Sequence, residues 1–401
     1  MAEEDDPFGG ANPFGNIPLF GDLAKALSGQ GPLNWDAARQ FAHLAAEGSG
    51  SSANVDPNVR IALADLGRIA ELHVRDVTGM DPQFPEITPV TPGTWAQRTL
   101  EAYRPLFTEL ATSLGKRPTL PAGEEPGTGV DEFGDGGDQM MAMMASLSAL
   151  MAPSMMGMAV GSMVGRMAAR AFGQYDLPIP RSDNTLLIVP ANLDRFADEW
   201  SVPVDQMRLW VLAHELIGHT LFSITPLRDD YAALVRQHVG AFHPDPSAVA
   251  EKLTSLDLDG GDPMQAMQKA LSDPALLLGA VQSPEQATLA PRLDAATAAI
   301  IGYVDYLVDA VAARVIGGEA LRIAEAVRRR RVESSPDDLY IERLLGLKLT
   351  HEQVQRGKAF VAGAVDRVGE SALGGLFARP GALPTPAELD APGLWLARLE
   401  L

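Results

Sequence analysis

The chain has 401 residues, of which 46% are hydrophobic, enough to bury a substantial core. Its 52 acidic and 32 basic side chains give a formal net charge of -20, which argues against nucleic-acid binding, because that function needs clustered Lys and Arg. The absence of cysteine excludes disulfides, a thiol nucleophile and a Cys-based zinc site, and the acidic first residues predict a cytoplasmic protein.

Three segments precede the chemically informative part of the chain. Residues 1–31 are rich in Gly, Pro and Phe and predict a flexible N-terminus. Apolar residues recur at helical spacing within residues 32–115, where Asn34 is a predicted helix cap. Residues 116–138 are acidic and rich in Gly and Pro, which predicts a linker.

Residues 139–172 are rich in methionine and hold ten of the chain's 15 Met residues. The glycines Gly157, Gly161 and Gly165 recur at four-residue spacing, a pattern of close helix–helix contacts that also occurs in membranes. Pro153 predicts a break into two helices, each too short to span a bilayer. We therefore expect a buried helical hairpin, with a membrane span as the disfavoured alternative.

Residues 173–401 are predicted to form the main core, with a short strand from Thr185 and then a helix that carries His214 and Glu215. In the zinc-peptidase motif H-E-x-x-H, two histidines four residues apart share one helix face and bind one zinc ion. The glutamate between them is the general base. Here Gly218 stands at the second histidine position, and the next histidine is His219.

Five residues of regular helix place His214 and His219 about 140° apart around the axis, on different faces. A single π-bulge at Gly218 would bring the two rings to one face. In the alternative, Gly218 allows a neighbouring segment to approach the helix, and His219 binds no metal.

The remaining helical patterns carry weaker signals. The basic run 328–331 is expected at a helix C-terminus, on a solvated face. His238 and His243 are predicted to be ordinary polar residues rather than metal ligands, and His351 is predicted to start a helix after Thr350. The whole pattern predicts a mainly α protein with a few short strands.

Several segments spread over most of the chain carry a family resemblance. They are residues 29–39, 173–180, 208–215, 302–309 and parts of 344–388. Together they resemble the actinobacterial zincin-like metallopeptidases of type 2, a family labelled as associated with the biosynthesis of coenzyme F420. The resemblance implies a zincin-like metallopeptidase fold, a zinc cofactor and peptide hydrolysis.

Carried over residue by residue, the resemblance leaves the zinc site incomplete. Family members with an intact site have a histidine at the position of Gly218 and a glutamate ligand at that of Ile301. Asp305, one turn after Ile301, matches a carboxylate that orients a ligand histidine in the family. Of the three ligands that the family implies, His214 alone is in place, whereas a catalytic zinc site normally has three.

The incomplete zinc site is compatible with two functional hypotheses, of which the first requires substitute ligands. In one, His214, His219 and Asp305 hold zinc, and Glu215 is the general base of an active metallopeptidase. In the other, zinc binding and hydrolysis are weak or lost, and the cleft binds a peptide or protein partner in a regulatory role. Asp309 could replace Asp305 in the first hypothesis, and less favoured substitutes are Asp229 and Asp230.

Overall fold

The computed structural model describes residues 31–47, 54–80, 85–115, 136–181, 183–242, 283–332, 345–347 and 349–400. Most of the predicted N-terminal segment 1–31, residues 116–135 of the predicted linker, and His243 lie outside the described residues.

Helices dominate the described part of the chain, which confirms the predicted mainly α class. The helices are α1 (Trp35–Glu47), α2 (Pro57–Thr78), α3 (Pro92–Ala102), α4 (Arg104–Gly115), α5 (Gly136–Ala168), α6 (Pro190–Glu199), α7 (Val204–Ser223), α8 (Thr225–Gly240), α9 (Pro284–Val315), α10 (Ala320–Val332), α11 (His351–Val368), α12 (Pro386–Asp390) and α13 (Pro392–Leu399). Short 3-10 helices lie at Gln174–Asp176, Gly317–Glu319 and Glu370–Phe377.

Two short strands, β1 (Glu86–Pro89) and β2 (Thr185–Ile188), pair in parallel. The strand predicted from Thr185 is therefore confirmed. The strand β1 lies inside the segment 32–115 that was predicted to be helical, and that prediction is wrong at this point. Four residues are too few to show an alternating pattern, and the pairing partner is remote in sequence.

The methionine-rich segment is one helix, not the predicted hairpin. Helix α5 continues through Pro153, which remains inside it. The backbone carbonyl of Pro153 accepts a hydrogen bond of 2.9 Å from the backbone N–H of Asn34 at the start of α1. Proline disfavours an α-helix interior without excluding it, and tertiary contacts of this kind can offset its cost.

The glycines of α5 let two helices of the same chain touch along their backbones. A Cβ atom added at Gly157, Gly161 or Gly165 would lie only 2.3–2.4 Å from a carbonyl oxygen of α1 or its cap. The facing residues, four apart along the chain, are Asn34, Ala38 and Ala42. The small-residue pattern therefore serves an internal contact, and Asn34 caps α1 as predicted.

Helix α9 lies at the centre of the fold and contacts α2, α7, α8 and α11. Within the described residues it is the one helix long and apolar enough to cross a membrane, but 83% of its most apolar stretch is buried inside the protein. Its contact with α11 is a close one between Gly302 and Gly357. Helix α7 therefore carries His214 between large, packed helices.

Candidate functional site

Helix α7 is regularly α-helical over Val204–Ser223 and contains no π-turn, so the π-bulge that was one of the two alternatives at Gly218 is absent. His214 lines a cleft, and its side chain is 13% exposed. His219 is buried on another face and lies against Tyr175, with 3.2 Å between the Tyr175 hydroxyl oxygen and the His219 Nδ1 atom. Regular helix geometry thus separates the two imidazoles, as the five-residue spacing requires.

Gly218 accommodates the ring of Tyr175. A Cβ atom at residue 218 would lie 3.1 Å from the Tyr175 Cγ atom, so a larger residue would push the ring away. Burial lowers the pKa of His219, which favours the neutral imidazole that can bond to the Tyr175 hydroxyl. Of the two alternatives for Gly218, the structure therefore shows the close approach of a neighbouring segment and not the π-bulge.

Glu215 is buried beneath the cleft and is held by two hydrogen bonds. Its Oε2 atom accepts one of 2.7 Å from the backbone N–H of Tyr175, and its Oε1 atom lies 3.1 Å from His214 Nδ1. Gly173 leaves room for the carboxylate, because a Cβ atom there would lie 2.3 Å from Glu215 Cδ. Burial raises the pKa of Glu215, although its contacts with His214 and Tyr175 oppose the rise.

The outer nitrogen of His214 faces a guanidinium group. His214 Nε2 lies 3.4 Å from Arg331 Nη2, and the indole of Trp210 stacks on the imidazole with 5.6 Å between ring centroids. An arginine can only donate, so a hydrogen bond between these two groups requires His214 Nε2 to accept and His214 Nδ1 to carry the proton that points to Glu215. A chain of contacts therefore runs from Glu215 through His214 to Arg331.

Asp305 is buried between two arginines. Its carboxylate lies 3.2 Å from Arg328 Nε and 3.3 Å from Arg331 Nη1, and Arg328 also contacts Asp309 at 2.6 Å. Burial alone would raise the pKa of Asp305, but Arg331 and Arg328 hold it below its usual value. Both candidate aspartates are thus paired with arginines.

The basic run 328–331 does end helix α10, but its predicted solvated face is wrong for three of its four residues. Arg328 is buried, and Arg330 and Arg331 line the cleft. Arg331 was not predicted as a site residue. A signal that could have found it is a run of arginines in a chain that also has aspartates at buried helical positions, Asp305 among them.

The predicted metal ligands do not converge on one point. His214 faces Arg331, His219 faces Tyr175, and Asp305 faces the two arginines. No group of three His, Asp or Glu side chains within the described ranges is arranged to hold a metal ion. The less favoured candidates bond elsewhere, Asp229 to Arg228 and Asp230 to the backbone N–H of Gly381.

The site residues therefore do not fit a zinc ion. A zinc site needs convergent, deprotonated ligands, whereas a positive guanidinium stands against the His214 nitrogen that would bind the metal. Ile301, where the resemblance predicts a glutamate ligand, is 7% exposed and contributes an aliphatic wall to the cleft.

The cleft itself is small and mostly apolar, with a volume of about 70 Å³. Trp210, Ile301 and Leu349 are among its apolar walls, and Arg170, Arg330, Arg331, Asp176 and Glu215 are the charged residues that line it.

His238 and His351 are not among the residues that line the cleft. His238 is buried, and its Nδ1 atom has no hydrogen-bond partner in the described structure. His351 is exposed at the start of α11, and Thr350 caps that helix as predicted.

The family comparison agrees with the zincin-like resemblance. Residues 33–396 match the model of the zincin-like metallopeptidase family. A crystal structure from Chloroflexus aurantiacus, provisionally described as a hydrolase with a novel fold, is similar in fold, with a TM-score of 0.57 and 21% sequence identity over 92% of this chain and 99% of that one. No curated protein matches. The family match covers almost the whole sequence, and the chain therefore belongs to the zincin-like metallopeptidase family.

Proposed function

We propose that this protein is a zincin-family member in which the Arg331 guanidinium takes the place of the catalytic metal. On this proposal it binds a peptide or protein segment in its cleft and does not hydrolyse it through zinc. The single observation that carries the proposal is the 3.4 Å contact between Arg331 Nη2 and His214 Nε2.

The charges around this contact support the proposal. Asp305 lies behind Arg331 and compensates its charge, so the cation is stabilised in the position it occupies. A zinc ion at His214 Nε2 would meet that positive charge and would find no second ligand at Gly218 or Ile301.

The position of Glu215 also argues against peptidase chemistry. A general base must reach the water whose proton it takes. Both oxygens of Glu215 are engaged, by Tyr175 and His214, and the side chain is 1% exposed. The buried carboxylate orients His214 instead.

Family membership favours the second candidate, an active metallopeptidase that uses His214, His219 and Asp305 with Glu215 as base. Zinc titration and hydrolysis of a fluorogenic peptide library by the wild-type protein separate the two candidates. We expect weak zinc binding and no zinc-dependent cleavage. Zinc-dependent cleavage that is lost on Glu215→Gln would establish the second candidate.

A gain-of-binding variant tests the replacement of the metal directly. Gly218→His and Ile301→Glu restore the family ligands, and Arg331→Met removes the competing cation. We expect the triple variant to bind zinc at least tenfold more tightly than the double variant that keeps Arg331. Gly218→Ala is the steric control, because it displaces Tyr175 without adding a ligand. Equal zinc affinity of the triple and double variants would contradict a metal-replacing role for Arg331.

A further inference from the structure

The cleft carries more positive than negative charge, although the whole chain has a net charge of -20. Three arginines are in its lining against two carboxylates, Asp176 and Glu215, and Asp305, which compensates part of the charge of Arg331, lies behind that lining. Both carboxylates already accept backbone hydrogen bonds, Asp176 from Phe172 and Gly173, and Glu215 from Tyr175. In a strongly acidic protein, such a cleft favours an anionic ligand.

Arg331 has donor capacity beyond its present contacts. Its contacts to Asp305 are 3.3 and 3.5 Å long and its contact to His214 is 3.4 Å, whereas charge-assisted bonds of this kind are about 2.7–2.9 Å. Arg328, by contrast, donates two short hydrogen bonds of 2.6 and 2.7 Å to the carboxylate of Asp309. The loose contacts of Arg331 use at most three of its five N–H groups.

The neighbouring Arg330 plays a different part in the cleft. Its guanidinium lies over the ring of Phe172, with 3.7 Å between the Arg330 Cζ atom and the ring centroid. The Arg330 Nη1 atom also lies 3.8 Å from the Asp176 Oδ1 atom. These contacts fix its charge beside the cleft, so that Arg330 adds attraction at a distance while Arg331 donates the hydrogen bonds.

The walls determine which kind of anion fits. Indole and aliphatic side chains, including Trp210, Ile301 and Leu349, line the same cleft as the charged groups. A phosphate exposes strongly hydrated oxygens on all sides and would lose that hydration against these walls. A carboxylate has one polar end, which matches the planar guanidinium, and can present an apolar group to the walls.

We infer that the cleft binds a carboxylate carried on an apolar group, with Arg331 as the residue that recognises the carboxylate. The C-terminus of a peptide that ends in an aliphatic residue has this chemistry, and so does a small aliphatic acid. The inference rests on the proposed function, because it requires Arg331 to remain in the cleft.

Calorimetric titration with matched ligands tests the inference. The probes are N-acetyl-Ala-Ala-Leu with a free C-terminal carboxylate, the same peptide as its C-terminal amide, and 4-methylpentanoate. We expect the free acid to bind at least tenfold more tightly than the amide. Equal binding of acid and amide, or no binding of either acid at millimolar concentration, would overturn the inference. Comparable affinities of 4-methylpentanoate and the peptide acid would support the same chemistry and identify the small acid as sufficient.

Variants separate a local effect from a general change in charge. Arg331→Met should abolish the preference for the acid, and Arg331→Lys, which keeps the charge but loses the planar fork, should reduce it several-fold. Arg329→Met removes the same charge from an exposed residue of the same helix that does not line the cleft, and should leave the preference unchanged. Thermal unfolding of each variant verifies folding, and a full preference for the acid in folded Arg331→Met would overturn the inference.

These outcomes are distinct from a failure of the proposed function. Zinc-dependent cleavage of the peptides would refute the absence of hydrolysis, whatever their affinities. Equal affinities without cleavage would refute the carboxylate preference alone.

Discussion

Substituting Asp305 by Asn removes the negative charge between two arginines while keeping the side chain's size. Breaking a fully buried ion pair costs about 3–5 kcal/mol, because it leaves an uncompensated charge. Here Arg328 keeps its contacts with Asp309, and the Arg331 side chain is 18% exposed, so part of the loss is recovered through solvent and the second carboxylate. We therefore expect the free energy of unfolding to fall by about 2–4 kcal/mol.

Urea unfolding followed by circular dichroism measures this change. The matched control is Asp76→Asn, which breaks an exposed ion pair with Arg314 and should cost less than about 1 kcal/mol. Adding Arg331→Met to Asp305→Asn should recover part of the loss, because the unpaired cation is then gone. A loss for Asp305→Asn no larger than that of the control would refute the buried charge network.

Three further predictions concern the pKa of Glu215, the bond between Tyr175 and His219, and the contact between α1 and α5. Burial raises the pKa of Glu215 above its unfolded value, so the contribution of this group to wild-type stability should be lost as pH rises through that raised pKa. Glu215→Gln should remove this part of the pH dependence, and melting temperatures with the same pH dependence in both proteins would contradict it. Tyr175→Phe should cost about 1–2 kcal/mol in urea unfolding, because the buried His219 Nδ1 loses its partner, and no loss would count against that bond. Gly161→Val should lower the free energy of unfolding by at least about 2 kcal/mol, because its Cβ atom would meet a carbonyl oxygen of α1. The control is Gly318→Ala, whose added Cβ atom would have no neighbour within 4 Å. Equal losses of stability in the two variants would argue against the contact between α1 and α5.

Local patterns predicted local structure well. Asn34 and Thr350 were recognised as helix caps because their side chains bond to backbone N–H groups only two or three residues away. The strand at Thr185 was predicted for a similar reason, as an apolar run between turn-forming residues. The continuity of α5 through Pro153 was not predicted, and there the carbonyl of Pro153 contacts Asn34, which is far away in sequence.

In the candidate site too, local geometry could be predicted from the sequence, whereas contacts between remote residues could not. The spacing of His214 and His219 predicts that they lie on different faces if the helix is regular, and the structure excludes the π-bulge that was the alternative. The partners of these histidines could not be predicted in this way. Arg331 lies 117 positions from His214 and Tyr175 lies 44 positions from His219, so both contacts depend on how remote helices pack.

The zinc content of the purified wild-type protein tests the central claim most directly. The protein is dialysed against buffer with micromolar zinc, then against zinc-free buffer, and its metal is measured by plasma mass spectrometry. Replacement of the metal by Arg331 predicts well under one zinc ion per chain. Stoichiometric zinc that disappears when both His214 and His219 are substituted would contradict it.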